Sequence, residues 1–88
     1  MVRLVYRAEF FQEDDLWVGL CPDLDVSSFG DSADEAKESL KEAVATFIEG
    51  CVELESLTDV LVESGYILDG DVWSIRERFT DKMEAVVV

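Results

Sequence analysis

The chain has no histidine, one proline, two cysteines and only seven lysines and arginines in 88 residues. Without histidine no imidazole can serve as a general base or a metal ligand, which excludes the Ser–His and Cys–His arrangements of nucleophilic enzymes. Cys21 and Cys51 are far apart in sequence with no second ligand nearby, so they match neither a zinc spacing nor a secreted disulfide framework. Each falls in an apolar periodic segment and is expected as a buried, reduced thiol. Gly30 and Gly65 stand alone, so no phosphate-cradling loop is present. No apolar run approaches the roughly 18 residues of a membrane span, and Met1-Val2-Arg3-Leu4 does not open a secretory signal. A cytoplasmic protein with no membrane partner is expected.

What the chain has in abundance is acid: 21 Asp and Glu, for a net charge of −14. Such a surface repels phosphates, so direct nucleic-acid binding is not expected. The acidity serves either solubility or the capture of a basic partner. It also makes carboxylate pairs uninformative, because with so many acids they occur by chance. A two-metal nuclease needs an inward acid in the middle of the first strand. Val5 and Tyr6 stand there, with Glu9 near the strand end on the outer face. No enzyme, cofactor or metal is therefore expected. The composition is 49% hydrophobic, enough for a packed core. A chain this short buries only about 60–65% of its unfolded surface, so an oligomer or partner is expected to support it.

The chain reads as one domain over residues 1–88. Residues 2 to 12 alternate, with Leu4, Tyr6, Ala8 and Phe10 on one face and Arg3, Val5, Arg7 and Glu9 on the other, the period of a half-buried strand. After the polar break Glu13-Asp14-Asp15, a second strand runs from Leu16 to Cys21 and pairs back as a hairpin. Pro22 ends it, Val26 to Phe29 form a third strand, and Gly30 is expected to supply an unusual φ at the corner into a helix. Ser32-Ala33-Asp34-Glu35 matches a capping box, and Asp31, Asp34 and Glu35 complement the helix dipole. Ala36, Leu40, Ala43, Val44, Phe47, Ile48 and Cys51 then form an apolar stripe over four to five turns, which Gly50 weakens or ends. A second helix begins at Ser56, turns Leu57, Val60 and Leu61 inward, and stops at Gly65. Asp69-Gly70-Asp71 marks a turn, Trp73 anchors its loop to the core, and Met83 to Val88 reads as a last strand, parallel beside the first and inside the sheet or paired with a second subunit. The order β-β-β-α-α-β predicts a two-layer α+β fold, a mostly antiparallel sheet with helices on one face.

Three side chains are candidates for partner contact: Trp17, Asp23 and Asp25. Trp17 alternates away from Leu16, Val18 and Leu20, which places it at an interface or in an exposed patch. Asp23 and Asp25 flank Leu24 and serve ordinary turn chemistry or a partner. Pro22, Gly30, Asp31, Ser32 and Glu35 form the motif that defines the fold.

Several segments resemble the HicB-like antitoxin family. They are Tyr6-Arg7-Ala8, Gly19-Leu20-Cys21-Pro22-Asp23-Leu24, Gly30-Asp31-Ser32-Ala33-Asp34-Glu35-Ala36, the helix from Leu40 through Phe47, and the later Leu57 to Leu61, Gly65-Tyr66 and Trp73 regions. The resemblance implies a partial RNase H-like fold without the nuclease site. It further implies neutralisation of a HicA-type toxin, a small basic protein that cleaves mRNA. Longer members add a DNA-binding segment; no chain follows Val88 for one, so a short form without operator binding is expected. The alternative is a solitary structural or regulatory domain that self-associates as a homo-oligomer.

Overall fold

The computed structural model describes residues 2–75 and 84–87. Nine elements follow in order: β1 (Arg3–Tyr6), β2 (Glu9–Glu13), β3 (Leu16–Cys21), β4 (Val26–Gly30), α1 (Ala33–Glu53), α2 (Leu57–Glu63), β5 (Tyr66–Asp69), β6 (Val72–Ile75) and β7 (Glu84–Val87). The α+β class and the mostly antiparallel pairing are as expected, but the strands form two sheets rather than one. β2-β3-β4 is an antiparallel meander, and β5-β6-β1-β7 is a second, mixed sheet.

The alternating first segment is two strands, interrupted at Arg7 and Ala8, and its halves join different sheets. Alternation survives the break: Leu4 and Tyr6 are buried and Ala8 and Phe10 pack against the same core. The turn signals after α2 close a hairpin, with Gly70 (φ +66) the first residue of a two-residue loop between paired Asp69 and Val72. Trp73 lies in β6 and is a core residue as expected, paired in parallel register with Leu4. The C-terminal strand does lie beside β1, but antiparallel and at the sheet edge; the parallel neighbour of β1 is β6. Met83 and Val88, expected in that strand, lie outside the described residues.

Helix α1 runs 21 residues, straight through Gly50. Its stripe is buried at Ala36, Leu40, Val44, Ile48 and Cys51. The helix ends instead where Glu55 takes a left-handed φ of 56°, with Leu54 N–H donating to Gly50 O. Gly50 is thus an ordinary interior helical residue whose missing methyl would point into open space. Gly50→Ala is expected to stabilise the domain by about 0.5–1 kcal/mol, since glycine costs backbone entropy that alanine does not. A thermal melt showing no rise in Tm would refute this.

One core serves both sheets. Leu4 and Tyr6 of β1, Cys21 of β3, Leu40, Val44 and Ile48 of α1, Leu61 of α2, Tyr66 of β5 and Trp73 of β6 form a single apolar cluster. Both helices therefore pack on the same side of the strands, as the two-layer reading predicts. Both cysteines are free and buried.

Candidate functional site

The turn from Pro22 to Asp25 joins paired Cys21 and Val26 at one end of the meander. Arg7 sits in the gap between β1 and β2 and donates from Nε to Asp23 Oδ2 at 3.0 Å and from Nη2 to Oδ1 at 2.6 Å. This bidentate pair ties the strand that leaves the first sheet to the turn of the second. The Asp23 side chain is only 12% exposed, so it is engaged in the fold. Asp25 is exposed and holds a left-handed φ of 56°. Asp23→Asn is expected to cost about 1–2 kcal/mol: below the cost of breaking a buried pair, because the Arg7 side chain is 37% exposed. A chemical denaturation midpoint equal to wild type would show that the pair is merely a surface contact.

Beneath this turn lie two buried titratable groups. Burial pushes the Cys21 thiol up, against the pull of the Leu24 backbone N–H; the nearby Asp23 charge adds to the rise. Tyr66 is 2% exposed, and among the described residues its hydroxyl has no hydrogen-bond partner. Burial, followed by the neighbouring Cys21 and Asp23, raises it strongly. Both shifts favour the protonated thiol and phenol, the weaker nucleophilic forms. Among the described residues no group of three His, Cys, Asp or Glu side chains is placed to hold a metal, and no helix is long and apolar enough to cross a membrane.

The corner into α1 works differently from its sequence expectation. Ser32 is the N-cap, its Oγ accepting from Glu35 N–H at 3.1 Å. Gly30, however, has no positive φ; the left-handed glycines are Gly65 and Gly70. It is glycine because the first turn of α1 lies against it: an added Cβ would stand 2.7 Å from Glu35 C, closer than side chains tolerate. Gly19 faces α1 less tightly: an added Cβ would stand 3.0 Å from the Phe10 ring, 3.1 Å from Ala36 O and 3.2 Å from Leu40 Cβ.

That direction corrects the placement of Trp17. Two residues from Gly19, it shares the α1-facing side of β3 and is half-buried there; it does not stand on the outer face. The outer face belongs to Leu16, Val18 and Leu20. The larger apolar set is thus the outward one, and the inward set of β3 runs Trp17, Gly19 and Cys21. Trp17 and the Asp23–Asp25 turn also occupy opposite ends of β3, so the three candidates do not form one site.

On the outer face, Phe11, Val18 and Phe29 stand in one register row across β2, β3 and β4. Sequence reasoning missed this row because Phe29 is cross-strand from Phe11 only once both hairpins are paired. A second signal was open to reading in the sequence. From Ala8 through Ala36 there is no lysine or arginine, while Glu9, Glu13, Asp14, Asp15, Asp23, Asp25, Asp31, Asp34 and Glu35 fall in that stretch. The whole meander is therefore cation-free.

Fold and surfaces together define an acidic α+β domain with one cation-free sheet. Among known proteins, no family model, curated protein or solved structure matches the chain.

Proposed function

We propose that the chain is an antitoxin-like binding module of the HicB type, which neutralises a small, basic, mRNA-cleaving HicA-type toxin by covering it. On this reading the domain is a partial RNase H-like fold without a nuclease site, working in the cytoplasm. The observation that carries the reading is the segregation of charge. The meander and the start of α1 carry nine carboxylates and no lysine or arginine; Arg7 engages Asp23, and the other eight residues are exposed to solvent or a partner. Such a surface suits an RNA-binding protein, with carboxylates standing where phosphates would lie. The sequence resemblance supports the same conclusion.

The test is co-expression with the product of an adjoining short, basic open reading frame. Relief of that product's toxicity together with co-purification is expected. Persistent toxicity with no basic protein retained would end the proposal.

A second reading, a solitary domain that self-associates as a homo-oligomer, draws on β4. This edge strand, Val26-Ser27-Ser28-Phe29-Gly30, carries no charge and no proline to block pairing with another edge. Light scattering that finds a monomer at millimolar concentration would count against it.

A further inference from the structure

The outer face of the meander carries an apolar surface that the core does not use. Phe11, Val18 and Phe29 form its central row, and Leu16 and Leu20 lie two residues to either side of Val18 on the same face. Val18, in register between the two phenylalanines, is only 7% exposed and lies outside the core cluster that the described residues form. Phe11 is 43%, Leu16 45% and Phe29 58% exposed. Large side chains left to water in one row across three strands mark an interaction site more often than chance.

The rim of this surface is of one sign. Glu9 and Glu13 share the face two residues to either side of Phe11, and Asp14 and Asp15 form the turn beside Leu16. No lysine or arginine occurs on β2, β3 or β4 to neutralise them.

We propose that this face docks a protein partner whose contact surface carries apolar side chains ringed by lysine and arginine. The proposal rests on the basic-partner reading above and states where that partner binds. Charge selects the occupant. A second copy of the chain would bring two sets of Glu9, Glu13, Asp14 and Asp15 around a drying interface, and like charges so placed oppose association. A nucleic acid meets the same repulsion. A basic surface turns the rim into attraction, which speeds encounter, while burial of Phe11 and Phe29 supplies the affinity.

The probe is a synthetic helical peptide with leucines along one face and lysines flanking them, titrated into the isotope-labelled chain and followed by amide chemical shifts. Shifts confined to β2, β3 and β4 are expected. The double variant Phe11→Ser with Phe29→Ser should still fold, with a cooperative melt and wild-type amide shifts outside the meander, yet bind at least about tenfold more weakly. The same peptide with glutamate in place of lysine should not bind. Shifts centred instead on Glu38, Glu42 and Glu49 of α1, or equal affinity for the double variant, would overturn the proposal. A wild-type dimer that the double variant converts to monomer would also overturn it, by giving the face to a second copy. The two proposals fail separately: loss of toxin relief in co-expression leaves the peptide result standing. Full relief by the double variant would keep the function and remove this face from it.

Discussion

Gly30→Ala is expected to lower stability by about 3 kcal/mol or more, near or beyond the upper end for overpacking, because the obstacle is backbone rather than a movable side chain. The added methyl would lie 2.7 Å from both Glu35 C and Glu35 Cβ, and relief requires α1 to move off the sheet. That helix supplies Leu40, Val44 and Ile48 to the core shared by both sheets, so displacement at its first turn is felt along its length. Against a total of about 5–15 kcal/mol for a domain, this is a large fraction. The Tm should fall by more than about 12 °C, given some 4–8 °C per kcal/mol in a domain of this size. Gly50→Ala, the same substitution placed inside α1 where the methyl meets open space, is the internal control, with the opposite sign. A Gly30→Ala protein that melts with wild type would remove the steric account of this corner.

Alkaline pH is expected to destabilise the domain through Cys21 and Tyr66. Both groups are raised in the folded state, chiefly by burial. The unfolded chain releases these protons near pH 8.5 and 10, whereas the folded chain holds them to higher pH. Above about pH 8.5 the folded state therefore binds more protons, and stability falls as pH rises, by up to about 1.4 kcal/mol per pH unit for each group. Below that pH the contribution is fully present. The loss is read as a denaturation midpoint that falls steadily as pH rises above about 8.5. Tyr66→Phe separates the two groups: it deletes a buried hydroxyl that has no partner among the described residues. The variant should gain about 1 kcal/mol at pH 7 and lose stability less steeply at high pH. Equal alkaline slopes in wild type and variant would show that Tyr66 does not carry the effect.

The candidate site was partly legible in the residues. Asp23 reads as a turn residue from Pro22-Asp23-Leu24-Asp25, and the structure agrees, but its clamp on Arg7 joins positions sixteen apart in sequence. No local pattern reports such a pair. Trp17 was misplaced because alternation tells which residues share a face, never which face is inward. Here a glycine, not a leucine, marks the inner side, at a point where the Phe10 ring and α1 both come within about 3.2 Å of where a Cβ would stand. The cation-free stretch from Ala8 to Ala36 was legible from composition alone; its meaning depended on learning that it covers one whole sheet.

By itself the sequence determined what is local and periodic. The buried stripe of α1 follows from spacings of three and four, the Ser32 cap from a hydroxyl before the helix, and the α2 stop from Gly65. Charge and the absence of histidine are likewise properties of the chain before it folds. Tertiary structure alone decided the division into two sheets, the antiparallel seat of β7 and the row Phe11–Val18–Phe29. Strand partners and register are set by long-range burial, which weighs all apolar faces together and leaves no mark in any single segment.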